Sequence, residues 1–315
     1  MIVVCPNCQT QYDLNDQVVE EPNFIARCSK CQHIFTAYRP VRVEEISFVD
    51  LAAAKKRNDH GNIVAISNQK GGVAKTSTCL NLGLSLAQQN KRVLLIDFDV
   101  QANLTISLGY KETTSFYEAL NGGPNSLEKL IIQTKYNHLF LLPSNKNMVL
   151  LNKKYFGARN FEFLLKDRLL PIKDRFDFIL IDTPPSIEFF TLNALTASHL
   201  IVIPSQCDYL STHGIDQILK LIQLIKAKTN PSIKPRVLIT MFDKQSTASK
   251  MICNKLKRLY AGLTFDTMIE LDARVREAQI LSLPVLEYNK ESVAGMQYAE
   301  VARDIIAQLS GNQQR

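Results

Sequence analysis

Residues 68–77 read Asn-Gln-Lys-Gly-Gly-Val-Ala-Lys-Thr-Ser, which places two lysines, two glycines and two hydroxyls within one short segment. Glycines let a backbone wrap closely around an anion, and lysines neutralise it. The stretch before it, 63–67, is apolar and β-prone, and residues 78–89 carry leucines at helical spacing. A loop between strand and helix faces the helix's first N–H groups and the positive end of its dipole, an arrangement that binds phosphate. Lys70, Gly71, Gly72, Val73, Ala74, Lys75, Thr76 and Ser77 are therefore the expected nucleotide-binding residues. The competing reading is a glycine turn beside unrelated lysines.

Two further segments supply carboxylates. Residues 91–99 form an apolar strand pattern running into Asp97 and Asp99, and residues 176–182 form another that ends in Asp182 before Thr183-Pro184-Pro185. Phosphoryl transfer relies on positioning and electrostatics more than on a strong base, so carboxylates at strand ends beside a phosphate loop are candidates to take part in it. A lone Asp at a strand end can equally be a helix cap or turn residue, and that reading stays open for Asp97.

The loop departs from G-x-x-x-x-G-K-[ST] at both outer glycines, where Gln69 and Ala74 stand, and keeps K-G-G-x-x-K-T. With its additional lysine it resembles the ParA/MinD group of deviant Walker-A ATPases. Val100-Gln101 follows Asp99 where that group has Pro-Gln. Further matches are Pro204 with residues 208–214, Thr240-Met241-Phe242-Asp243, and residues 284–288, so the resemblance spans roughly 62–308. It implies that Lys75 holds the β and γ phosphates of ATP in its own subunit. Lys70 would reach a partner's phosphates across an ATP-dependent homodimer, Thr76 and Asp182 would hold Mg²⁺, and Asp99 would orient the attacking water. Lys70 and Asp99 are then the catalytic pair of a slow ATPase stimulated by a ParB-like or cargo adaptor protein. Ala74 adds a question of backbone: a β-carbon is costly at a glycine-type angle and tolerated at an ordinary helical one.

The 315 residues, 46% hydrophobic, can hold one large α/β domain and a small module. Strand patterns at 199–204 and 235–240 alternate with helical ones at 214–228 and 250–259, which predicts an α/β fold with a mainly parallel, doubly wound sheet. No apolar run is long enough to cross a bilayer and the N-terminus lacks a signal-peptide plan, so the expected location is cytoplasmic.

Cysteines mark the small module. Cys5-Pro-Asn-Cys8 and Cys28-Ser-Lys-Cys31 have zinc-ribbon spacing, and four thiolates make a closed tetrahedral Zn²⁺ site. Metal binding would supply stability that so few residues cannot bury for themselves. A disulfide pair suits the cytosol poorly, a redox dithiol does not explain two knuckles, and His33 is a possible but superfluous ligand. Cys79, Cys207 and Cys253 read as isolated core residues. The expected division is a Cys₄ zinc ribbon over 1–38, a linker over 39–61 with a helical turn at 49–54, the ATPase over 62–310 and a tail over 311–315. No internal repeat is evident.

Net charge is +7, and residues 215–260 hold ten Lys or Arg against two Asp. Such a block suits sequence-independent contact with a phosphate backbone. The DNA-contact candidates are Lys250, Lys255, Lys257, Arg258, Arg274 and Arg276, against the alternative of a solvated face. Glu270 and Asp272 occupy a segment where the resembled group carries prolines, arginines or asparagines. The leading reading is a DNA-partition or cargo-positioning ATPase. Alternatives are a positioning ATPase on a non-DNA platform or a zinc-ribbon nucleic-acid regulator with an ATPase switch. A MinD-like membrane type is disfavoured because residues 298–309 lack a basic amphipathic face. An iron–sulfur scaffold would need a cysteine pair that the ATPase region does not display.

Overall fold

Apolar residues along the central strands send alternate side chains to opposite faces, the period-two consequence of strand geometry. The computed structural model describes residues 2–14, 23–38, 61–111, 114–122 and 126–310. The expected helical turn at 49–54, most of the linker and the tail at 311–315 lie outside these. In the N-terminal module, β1 (Ile2–Val4) pairs with β2 (Gln11–Asp13), and β3 (Asn23–Arg27) with β4 (Ile34–Tyr38), both antiparallel. The larger unit runs β5 (Asn62–Ile66), α1 (Lys75–Gln88), β6 (Val93–Asp97), α2 (Asn103–Ser107), α3 (Phe116–Asn121), β7 (Ile132–Gln133), β8 (Leu139–Leu142), α4 (Val149–Tyr155) and α5 (Leu164–Leu169). It continues with β9 (Phe178–Asp182), α6 (Phe189–Ala197), β10 (Leu200–Gln206), α7 (Ser211–Lys228), β11 (Lys234–Thr240), α8 (Thr247–Leu259), α9 (Ala273–Ile280), α10 (Val285–Tyr288) and α11 (Val293–Ser310).

Seven strands form one sheet in the order β11-β10-β5-β9-β6-β8-β7, parallel except for β7 on β8. Ile63, Leu94, Ile179 and Ile201 join the core under α6, α7 and α8, whereas Val64, Leu95, Leu180 and Val202 join the core under α1 and α11. Because α1 is covered by the sheet on one side and α11 on the other, most of its residues are buried and its amphipathic signal is weak. Cys79 and Cys253 are buried as expected, while Cys207 is half-buried.

The two cysteine knuckles are built alike. The Cys5 and Cys28 amides each donate to the carbonyl five residues on, Thr10 and His33, at 2.9 Å, and Gln9 and Gln32 share φ values of 59° and 61°. Each knuckle reads C-x-x-C-Q-x-x-aromatic, ending at Tyr12 or Phe35. This is a short internal repeat that the expectation of none overlooked, because most of its identity lies in backbone conformation.

Entry into β5 depends on one close backbone approach. A β-carbon on Gly61 would sit 2.2 Å from the Lys173 carbonyl oxygen, which cannot swing aside as a side chain can. Gly61→Ala should lower stability by about 1–3 kcal/mol. Urea unfolding checks this, with a reduced midpoint as the expected outcome.

Candidate active site

The phosphate loop leaves β5 and is fastened from behind by the ends of its neighbours. Asn68, buried, donates from Nδ2 to the Pro204 carbonyl at 2.8 Å and accepts at Oδ1 from the Lys70 amide at 3.0 Å. Gln206 at the end of β10 donates to the Gly72 carbonyl, and Thr240 at the end of β11 donates to the Val73 carbonyl at 3.1 Å. The last two contacts turn the Gly72 and Val73 carbonyls toward the sheet, an arrangement that suits the N–H groups after Lys70 to an anion. Gln206 was not anticipated, and Thr240 was named only within a matched motif and not as a holder of the loop. Their signal is the one that marked Asp97 and Asp182: a polar residue closing an apolar strand.

Ala74 answers the question of backbone. It sits at the N-cap of α1 with φ 67° and ψ 34°, a left-handed conformation that costs a non-glycine residue roughly 1–2 kcal/mol. Hydrogen bonds from Gln206 and Thr240 to the carbonyls of Gly72 and Val73, just before it, brace that strain.

Lys75 is buried and donates from Nζ to the Lys70 carbonyl at 2.9 Å. Burial lowers its pKa, while the charges of Asp182 and Asp99 act in the opposite direction. Thr76 Oγ1 donates to Asp182 Oδ2 at 2.7 Å, and the buried Asp182 Oδ1 has no hydrogen-bond partner. A fully buried carboxylate oxygen left without a donor is costly unless a cation or its water completes it. A hydroxyl and a carboxylate here are hard oxygen donors, so the residues fit Mg²⁺, with Thr76 and Asp182 as its holders.

Asp97 and Asp182 are register partners on adjacent strands, both buried. Asp97 accepts from the Thr105 amide at 2.8 Å and hydroxyl at 2.7 Å, and from the Asp99 amide at 3.3 Å. It is thus a turn anchor that pins α2 to the end of β6, the bland reading kept open for it. Burial pushes its pKa up to about 6 against those hydrogen bonds. Burial, with the Asp97 charge adding, pushes Asp182 well above the usual carboxylate range. Asp99 faces the cleft; its Oδ1 accepts from the Gln101 amide at 3.0 Å, and its carbonyl accepts from Ser144 Oγ at 2.6 Å.

Together Gly71, Gly72, Ala74, Lys75, Thr76, Ser77 and Asp99 line a cleft of about 460 Å³, closed on the far side by Met241, residues 269–272 and α9. Val73 is buried beneath it. Lys70 turns away: its Nζ is ion-paired with Asp208, which also accepts from Ser211 Oγ at 2.9 Å. Burial raises the Asp208 pKa, but the bonds from Lys70 and Ser211 outweigh it and hold the carboxyl below its ordinary value.

The six basic candidates separate. Lys250, Lys255 and Arg258 are exposed on α8 and Lys257 is half-buried there. Arg274 donates to the Glu291 carbonyl at 3.3 Å, and Arg276 lines the cleft. Glu270 is ion-paired with Lys244 at 2.7 Å, while Asp272 caps α9 through the Arg274 amide at 3.0 Å.

In the N-terminal module the sulfurs of Cys5, Cys8, Cys28 and Cys31 lie within 4.8 Å of one another. Thr10 Oγ1 sits 3.1 Å from Cys8 Sγ, and the Tyr12 hydroxyl 3.0 Å from Cys28 Sγ. The Tyr12 bond is the main cause that brings the Cys28 thiol down to about 6, toward the thiolate a metal needs. The donor set fits zinc, with Tyr12 and Thr10 as outer partners that orient the ligands.

A family profile described as an AAA domain matches residues 61–235, and one described as a zinc-ribbon domain matches residues 1–36. The chain is 34% identical over 251 residues to the chromosome partitioning protein ParA of Myxococcus xanthus, covering 78% of this chain and 88% of that protein. It is 33% identical to the sporulation initiation inhibitor protein Soj of Bacillus subtilis, covering 78% and 99%. A solved Mycobacterium smegmatis structure, described as cobyrinic acid a,c-diamide synthase with an ATP analogue and magnesium bound, superposes with a TM-score of 0.69 at 29% identity, covering 80% and 97%.

Two outcomes follow from this geometry. Native Asp97 keeps its proton to about pH 6, whereas the unfolded chain loses it near 3.8, so its stabilising effect is full at low pH and is lost as pH rises through 6. Between pH 7 and 5, wild type should gain about 1–2 kcal/mol relative to Asp97→Asn, read by urea unfolding without nucleotide. Cys28→Ser should release the bound zinc, seen by metal analysis, while nucleotide titration of the same variant stays within about twofold of wild type, the scatter expected of an uninvolved site.

Proposed function

Since the chain belongs to the ParA-like group of AAA-domain ATPases, we propose that it is an ATP-switched partition or positioning protein whose dimer binds DNA without regard to sequence. Positioning by ATP hydrolysis is the activity of its kind; the dimer, the DNA and the adaptor are the inferred parts. The observation that carries the reading is the position of Lys70. A lysine inside the phosphate loop that points out of its own cleft, toward Asp208, is available to a second subunit's nucleotide. Beside it Tyr209 is 90% exposed and Leu210 is 59% exposed, apolar surface suited to burial in a dimer.

Bound Mg²⁺ supplies charge neutralisation at the β and γ phosphates. Lys75 shares that task, Thr76 and Asp182 hold the ion, and Asp99 orients water at the open side of the cleft. Slow turnover becomes a timer that a ParB-like or cargo adaptor shortens. The DNA surface is best sought on α7 and α8, whose buried faces join the same core and which expose Lys220, Lys226, Lys228, Lys250, Lys255 and Arg258. The zinc ribbon suits protein contact better than DNA. Of its residues 1–38, Arg27 and Lys30 are the basic ones against four acids, and β3 and β4 expose Ile25 and Ile34 at 80% and 61%.

Asp99→Ala should bind Mg-ATP yet lose at least about 100-fold in turnover, accumulating as an ATP-bound dimer. Undiminished turnover contradicts its role. On nonspecific duplex DNA, the ATP-loaded variant should bind with an affinity that falls steeply between 50 and 200 mM salt, and Lys250→Ala/Lys255→Ala/Arg258→Ala should weaken binding about equally on every sequence. Dimers with no affinity for DNA would move the platform to a protein scaffold and the interest to the ribbon.

A further inference from the structure

The helix that closes the cleft opposite the phosphate loop presents two side chains that the reading above leaves without a task. Arg276 and Gln279 are three residues apart on α9, hence on one face, and both line the cleft. The helix is held firmly. Asp272 caps it, accepts from Ser292 Oγ at 2.7 Å and so ties it to the start of α11, and Ala278 is buried beneath it. Across the cleft, Gln279 Nε2 donates to Ser77 Oγ at 2.7 Å, which bridges α9 to the first turn of α1.

Arg276 differs from its neighbour. Arg274 is committed to the Glu291 carbonyl, whereas the Arg276 guanidinium has no hydrogen bond or ion pair among the described residues. The charge balance of the cleft calls for it. Asp99 lines the cleft, with Asp182 and Asp97 buried behind it, while Lys75 is the one lysine in its lining and Lys70 is paired elsewhere. Of the acids on the α9 side, Glu270 is neutralised by Lys244 and Asp272 is occupied as a cap. A triphosphate entering so carboxylate-rich a site gains from a second fixed cation, and a planar guanidinium suits phosphate oxygens.

We propose that α9 is a second wall of the nucleotide site, in which Arg276 binds the α-phosphate of a nucleoside di- or triphosphate beside the Ser77 hydroxyl that Gln279 holds. Lys75, Thr76, Asp182 and Asp99 serve the β and γ end, and Ser77 lies one residue farther along α1, on the side that α9 covers. The contact is therefore common to ATP and ADP. This takes Arg276 out of the set of DNA contacts, and it rests on the assignment of the cleft to ATP.

The test is equilibrium binding of Mg-ATP and Mg-ADP to the full-length, zinc-loaded protein as wild type, Arg276→Ala, Arg276→Lys and Lys75→Ala, with nonspecific DNA affinity measured at saturating ATP analogue. Arg276→Ala should weaken ATP and ADP alike by about tenfold, Arg276→Lys should recover part of that, and DNA affinity at saturation should hold. Because Arg276 is exposed, the variant keeps its core, and its thermal unfolding serves as the control. Unchanged nucleotide affinity in Arg276→Ala overturns the proposal, as does a loss confined to ATP or a loss of DNA affinity alone. If Lys75→Ala loses nucleotide while Arg276→Ala does not, the cleft assignment stands and the α9 assignment fails. If neither variant loses nucleotide, the cleft assignment itself fails.

Discussion

The phosphate loop takes its shape from the carboxyl ends of the sheet as well as from bonds of its own. Hydrogen bonds of Asn68, Gln206 and Thr240 tie the loop to the ends of two strands, β10 and β11, and brace the segment that carries the left-handed backbone at Ala74. A parallel sheet makes this possible because every strand of the set finishes on one side, where polar residues can follow apolar ones without entering the core. Ligand binding at this edge follows from topology, and the chemistry follows from which residues close each strand.

The same edge concentrates negative charge. Asp97 and Asp182 face each other across two adjacent strands with Asp99 one turn away, an arrangement that apolar burial alone would reject. Asp97 is relieved by Thr105 and Asp182 in part by Thr76, which leaves one buried oxygen of Asp182 for a cation. The unliganded site thus stores an electrostatic cost that a cation held by Thr76 and Asp182 would remove.

Local pattern carried much of this. The strand–loop–helix around Lys75, the apolar strands ending at Asp97 and Asp182, and the paired C-x-x-C knuckles are all readable because each depends on neighbours in sequence. What stayed hidden depends on distance. Asp208 as the partner of Lys70 and Gln279 as the partner of Ser77 come from far along the chain, and no periodicity announces them. The angle at Ala74 is imposed by strand ends beyond its own segment. Arg276 is legible in the sequence as a charge, whereas its place in the lining of the cleft is not. Short elements such as β7, β8 and the helices between α2 and α5 escaped for a related reason, having too few residues to show a period.

In the proposed switch Lys70 acts across a dimer and not on its own subunit's nucleotide. The deciding measurement is sedimentation of wild type and Lys70→Ala with Mg²⁺ and a slowly hydrolysed ATP analogue, with analogue affinity measured alongside. Wild type should dimerise, while Lys70→Ala should bind the analogue with near wild-type affinity and stay monomeric. A variant that loses analogue binding together with dimerisation, or one that dimerises as wild type does, would rule that role out.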